Sequence, residues 1–157
     1  MGRDRIPERK RPRFTGRGKG HPFSSFPNYM LQSEEYGALS GNAAKLLTQI
    51  ASTYNGKNNG DLSIGWKDYS TRFKWVSKAT LEKARKELDE AGFILLTKHG
   101  FQRRPHLYAL TWHGIDSCPG KDLEVPPGPP RNCWRKTVPA PQNLNSHAPF
   151  SGAQDAA

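Results

Sequence analysis

The chain has 157 residues, with 24 Lys+Arg against 14 Asp+Glu for a net charge of +10, and 34% of it is hydrophobic. That length allows one ordinary domain with tails, and an apolar share below the roughly 45–50% of a typical globular domain implies poorly apolar segments around a compact centre. No apolar run reaches the length of a membrane span and the N-terminus lacks a signal-peptide core, so the expected setting is the cytoplasm, for a bacterial protein the cytoplasm or nucleoid.

Residues 1–25 read as a disordered basic arm. Arg3, Arg5, Arg9, Lys10, Arg11, Arg13, Arg17 and Lys19 face only Asp4 and Glu8, and Pro7, Pro12, Gly16, Gly18 and Gly20 break any helix. With almost nothing apolar to bury, such a segment cannot offset its chain entropy. Its cations suit a DNA backbone or minor groove, with Arg9, Lys10, Arg11 and Arg13 as the candidate contacts. In a eukaryotic host the same cluster would pass for a nuclear signal. Residues 21–39 lead into a domain expected over 26–116. Phe23, Phe26, Tyr29, Met30 and Leu31 supply apolar contacts for its outer core, and Ser33 can cap a short helical turn.

Residues 40–54 predict the first long helix. Ser40 is a cap, and Ala43, Leu46, Leu47, Ile50, Ala51 and Tyr54 form one apolar stripe that stops at Asn55-Gly56. Residues 57–60 form a turn, and 62–64 can add a short strand. Trp66, Tyr69 and Phe73 recur at helical spacing in a second helix, and Lys74, Trp75 and Val76 leave room for a tight turn only. The Gly common in such turns is missing.

Ser77 then caps a third helix. Leu81, Ala84, Leu88 and Ala91 mark its buried face, and Gly92 follows as a stop. A projection at about 100° per residue puts Ala79, Glu82, Lys83, Lys86 and Glu90 on the opposite face. Glu82 and Lys86 stand in the favourable i, i+4 order. Residues 93–97 and 106–112 are β-prone runs around a loop with Gly100, Arg103 and Arg104, which reads as a hairpin with a basic tip. Beyond Asp116, prolines interrupt every element, and 117–157 reads as a mostly disordered linker or tail.

The segment 26–116 resembles a winged helix-turn-helix of the kind found in phage, prophage and plasmid replication or regulatory proteins. The residues carrying the resemblance are Leu39-Ser40, the run 58–63, Ser77-Lys78-Ala79-Thr80-Leu81, the run 88–94 and Tyr108-Ala109-Leu110-Thr111-Trp112. It implies an α+β fold of three helices and a two- or three-stranded β-hairpin wing. The last helix would enter a DNA groove through Ser77, Lys78, Thr80, Lys83 and Lys86, while Arg103 and Arg104 on the wing grip phosphates.

Other chemistry finds little support. Cys118 and Cys133 have no partner ligand at metal-site spacing, and a disulfide is not expected inside a cell. His99, His106 and His113 recur every seven residues, but a hairpin spreads them over a loop and a strand. There is no phosphate-binding loop or nucleophile elbow, and neighbouring Asp89 and Glu90 point to different helix faces. No enzymatic activity and no cofactor or metal is expected. The leading reading is therefore sequence-selective double-stranded DNA binding in replication or transcription regulation of a mobile element or bacterial genome. The alternative is a winged-helix module that docks on a replication, host or defence protein, which Glu82, Glu87 and Glu90 on the outer helix face would favour. Single-stranded nucleic acid ranks third for want of stacking aromatics. Without a long heptad segment the expected state is a monomer.

Overall fold

Serines open three of the five helices described for this chain. The computed structural model describes residues 22–135 as α1 (Asn28–Leu31), α2 (Glu34–Gly37), α3 (Gly41–Thr53), β1 (Leu62–Ser63), α4 (Trp66–Arg72), α5 (Lys78–Glu90), β2 (Ile94–Lys98) and β3 (Leu107–Leu110). The side chains of Ser33, Ser40 and Ser77 accept the backbone N–H of Tyr36, Ala43 and Thr80, satisfying donors that a helix start leaves orphaned. The expected arm contacts Arg9, Lys10, Arg11 and Arg13, and the tail beyond 135, lie outside the described residues.

Helices α3 and α5 meet through the stripes that their periodicity marks. Leu46, Leu47 and Ile50 from α3 and Leu81, Ala84 and Leu88 from α5 are all buried in one apolar cluster. A polar cross-link supplements this packing. Glu87, expected on the outer face of α5, reaches back to the start of α3, where the Ser40 N–H donates to Oε1 at 2.6 Å and the Ser40 hydroxyl to Oε2 at 2.7 Å. The outer-face placement of Glu87 is corrected: Glu87 borders the stripe, and a long side chain there can turn toward a neighbouring helix.

Helix α5 stops where Gly92 takes φ +80°. The Phe93 N–H bonds to Leu88 O at 3.0 Å and the Gly92 N–H to Asp89 O at 3.1 Å, the paired pattern of a Schellman cap. The chain leaves directly into β2. The sheet is antiparallel with β3 central, in the order β1-β3-β2, and Leu62 and Leu96 both pair with Tyr108. A bulge between Leu96 and Lys98 turns Thr97 inward, where its hydroxyl donates to Gly60 O at 2.6 Å. The architecture is α+β, five helices with a small three-stranded sheet.

The domain extends past residue 116, so the tail reading fails for 117–135. This segment closes over the sheet. Ile115 and Gly128 form an isolated bridge, the Glu124 N–H donates to Thr97 O at 2.8 Å, and the Asn132 N–H donates to Thr111 O at 2.8 Å. Trp134 is buried and stacks on Phe93 at 5.9 Å between centroids. Proline breaks regular elements, but it does not prevent a segment from packing irregularly when its aromatic side chains find a seat. At the other end, Met30 is buried and Phe26 packs on Trp112, whereas Phe23 and Tyr29 stay exposed.

Asn59, in the turn after α3, is fully buried. Its amide nitrogen donates to Leu110 O, His113 O and Gly114 O, and its amide oxygen accepts the Leu110 N–H at 2.7 Å. Its backbone exchanges two further bonds with Asp116. One side chain thus ties the turn to the end of the central strand.

Leu81→Ala and Leu88→Ala should each cost about 2–5 kcal/mol in chemical denaturation, and Trp134→Ala about 3–5 kcal/mol. A near-neutral Trp134→Ala would remove 117–135 from the folded unit. Asn59→Asp keeps the shape but removes both amide hydrogens and sets a carboxylate against three carbonyl oxygens. Its loss should exceed the about 1–3 kcal/mol expected for one unpaired buried group. Equal melting temperatures for wild type and Asn59→Asp would refute the role given to this side chain.

Candidate nucleic-acid interface

The link 73–77 sets the path from α4 into α5. Lys74 stands where a glycine is usual and takes φ +58°, the left-handed conformation that a glycine would supply without strain. Trp75 anchors the turn to α3. Its indole N–H donates to Gln49 Oε1 at 2.6 Å, and the Lys45 ammonium lies 5.0 Å from the ring centroid. Val76 is left 97% exposed beside the start of α5.

The outward residues of α5 are largely those that the projection gives. Lys78, Ala79, Glu82, Lys83, Lys86 and Glu90 are exposed, Ser77 and Thr80 are half-buried, and the Ser77 oxygen is engaged as the helix cap. The expected Glu82–Lys86 pair does not form. Glu82 instead holds Arg85 at 2.8 Å and Lys86 lies 3.7 Å from Glu90. Among the described residues neither Lys78 nor Lys83 is within ion-pair distance of a carboxylate.

Nothing in the sequence pattern marks out Arg85. Its guanidinium bridges Glu82 and, at 3.0 Å, the hydroxyl of Tyr108 on β3. Burial alone would lower the Arg85 pKa, but the hydrogen bond to Glu82 and the interactions with Tyr108 outweigh it and raise it. Burial raises the Tyr108 pKa, and the carboxylates Asp89 and Glu82 add to this against the lowering by Arg85. The pair ties α5 to the sheet, so Arg85 orients the helix rather than extending its cationic face.

Between β2 and β3, the loop 99–106 turns tightly. The Arg104 N–H donates to Phe101 O at 3.0 Å, Gln102 adopts φ +55°, and the Gly100 N–H donates to His106 Nδ1 at 3.1 Å. A Cβ on Gly100 would collide with the backbone of Arg104, Pro105 and His106. Arg103 and Arg104 are exposed, and no carboxylate among the described residues pairs with either. His99 is fixed at the loop base by Glu124, whose carboxylate meets its Nδ1 at 2.6 Å and accepts its backbone N–H at 3.0 Å. These hydrogen bonds, side chain first, lower the Glu124 pKa. The hairpin brings His99 and His106 to 6.1 Å between centroids, closer than the spread expected for them, while His113 packs instead on Tyr54.

Among the described residues no group of three or more His, Cys, Asp or Glu side chains is arranged to hold a metal, and no helix is long and apolar enough to cross a membrane. Cys118 is buried and Cys133 exposed, and both are free.

Protein families, curated proteins and solved structures offer no match to this chain. The capability of the surface therefore follows from its own chemistry. Two sets of cations, Lys78 and Lys83 on α5 and Arg103 and Arg104 on the β2–β3 loop, have no carboxylate partner among the described residues and stand on elements held by the core. The sequence points to Lys78, Lys83, Lys86, Arg103 and Arg104. It does not point to Lys98 and Lys121, which line a groove beside the loop together with Phe101, because their proximity arises from the fold of 117–135.

Lys74→Gly should leave the fold intact and raise stability by about 1 kcal/mol or less, since relief of left-handed strain is partly offset by the greater chain entropy of glycine. A lowered melting temperature would mean that the Lys74 side chain itself braces the turn.

Proposed function

We propose that this chain is a winged helix-turn-helix protein that binds double-stranded DNA sequence-selectively, with α5 in the major groove. The observation that carries the reading is the pairing of two features. Helix α5 follows α4 through a tight link and presents outward Lys78 and Lys83, which meet no carboxylate among the described residues. The hairpin after it carries Arg103 and Arg104 on a tightly turned tip. In that arrangement Lys83 and Lys86, with Lys78 and Thr80 nearer the helix start, face base edges or phosphates. Arg103 and Arg104 grip flanking backbone, which carries no sequence code. The net charge of +10 favours the same partner through counterion release. Action in replication or transcription follows from the resemblance and is proposed on that basis alone.

The reading as a docking module for a replication or host protein rests on three outward carboxylates. Glu82 is paired with Arg85 and Glu90 lies beside Lys86, while Glu87 is turned toward Ser40 and accepts its two hydrogen bonds, so all three carboxylates have partners within the chain. Duplex DNA is the better supported partner.

Replacing Arg103 and Arg104 with Ala should weaken binding to all duplexes alike. It should also flatten the salt dependence by about one slope unit for each phosphate that is no longer neutralised. Lys83→Ala or Lys86→Ala should instead narrow the gap between a selected site and a scrambled duplex, by roughly 1–3 kcal/mol if the side chain reads a base edge through paired hydrogen bonds. Salt titrations of wild type and variants on both duplexes read the difference. Failure to enrich any site, with duplex bound only at low salt, would turn the assignment toward a protein partner.

A further inference from the structure

Beside the loop 99–106 lies an open groove of about 1150 Å³. The loop contributes Phe101, Arg103 and Arg104, while Asp61 and Ser63 come from the region of β1 and Lys121 from the 117–135 segment. Lys98 completes the basic lining, and its ammonium donates to the backbone carbonyl of Lys121. Four cations thus face one carboxylate, Asp61, which is itself 3.2 Å from the Lys121 ammonium. The groove carries a net positive charge that Asp61 offsets only in part.

Phe101 gives the groove a second character. Phe101 is 73% exposed and stands on the tight turn closed by the Arg104 N–H bond to its carbonyl oxygen. Gly100, packed against the backbone of 104–106, fixes the approach to that turn. An isolated apolar side chain on a protein surface is ordinary. This one is held by a preorganised loop between cations, so engaging a ligand does not require ordering a flexible segment first.

We infer that the groove binds an unpaired DNA strand, with a base stacked on the Phe101 ring and the phosphates on Arg103, Arg104 and Lys121. A base within a duplex is already stacked on its neighbours and shows only its edges in the grooves. An unpaired base offers a free face, and a positively charged groove with an aromatic platform is the combination that tracks single strands. An acidic peptide would satisfy the cations but leave the ring without a planar partner. The inference rests on the duplex reading for its setting, a strand end or melted segment beside the bound duplex. Arg103 and Arg104 serve in both, whereas the stacking contact of Phe101 belongs to the single strand alone.

The test uses the full chain, a fluorescent oligothymidylate of about 16 nucleotides and a blunt duplex. The basic arm will attract both probes, so the effect of the ring decides rather than binding by itself. Phe101→Ala should weaken oligothymidylate binding roughly tenfold or more and leave duplex affinity and melting temperature unchanged. Phe101→Trp should retain the affinity and lose more indole emission on binding than wild type does. Unchanged oligothymidylate affinity in Phe101→Ala would overturn the inference, as would an equal loss on both probes. Displacement of the oligothymidylate from wild type and Phe101→Ala with equal ease by polyglutamate would reassign the groove to acidic peptides. If the duplex fails to bind while oligothymidylate binding depends on Phe101, the duplex reading falls and the groove assignment stands.

Discussion

At Gly92 three parts of the fold meet within a space that admits no side chain. Helix α5 ends there with φ +80°, β2 starts two residues later, and a Cβ on Gly92 would lie 2.5 Å from the Cys133 carbonyl. The positive φ closes the Schellman cap and reverses the chain, which lets Phe93 enter the core directly beneath the helix end. The close approach lets 117–135 cross the junction and seat Trp134 on Phe93. If the junction opened, α5 would lose its stop, the hairpin its starting direction and the C-terminal segment its seat. The end of α5 and the start of the hairpin thus share this one backbone geometry.

The polar contacts around that junction connect elements far apart in sequence. Glu87 joins α5 to the start of α3, Arg85 joins α5 to β3, and Asn59 joins the α3–β1 turn to the strand end. Each of these polar groups meets a complementary partner, which limits the desolvation cost of placing it there. The residues left over on the surface are disproportionately cationic. Lys78, Lys83, Arg103 and Arg104 lack acidic partners among the described residues, while Glu82, Glu87 and Glu124 are engaged by Arg85, Ser40 and His99. Pairing of Glu82 with Arg85 and of Glu90 with Lys86 leaves Lys78 and Lys83 as the α5 cations without a carboxylate partner among the described residues.

Much of this is legible in the sequence where one element decides its own surroundings. The capping serines, the stripes of α3 and α5, the stop at Gly92 and the hairpin all follow from local propensity and periodicity, and the structure has them within a residue or two. The same periodicity identifies the exposed lysines of α5, because the helix face opposite a buried stripe is necessarily solvated. The errors arise where a side chain answers to another element or to a nearer neighbour. Glu87 reads as solvated until Ser40 lies beside it, Glu82 suits Lys86 by spacing while Arg85 is nearer, and Asn59 reads as a turn former whereas its amide serves β3.

The largest miss has the same cause. Proline spacing in 117–135 excludes helix and strand, and by that criterion alone the segment reads as unfolded. A chain can, however, bury Trp134 and Cys118 in irregular conformation when a preformed surface accepts them. The sheet and the end of α5 together make that surface. The groove beside Phe101 depends on it in turn, since Lys121 reaches Asp61 only through the path of 117–135. By itself, then, the sequence determined the α+β class, the order of its elements, the exposed lysines of α5 and the basic character of the loop, because these rest on interactions within a few residues. Only the tertiary structure decided where the domain stops, which carboxylates are neutralised and which cations share a groove, because those depend on contacts between residues tens of positions apart.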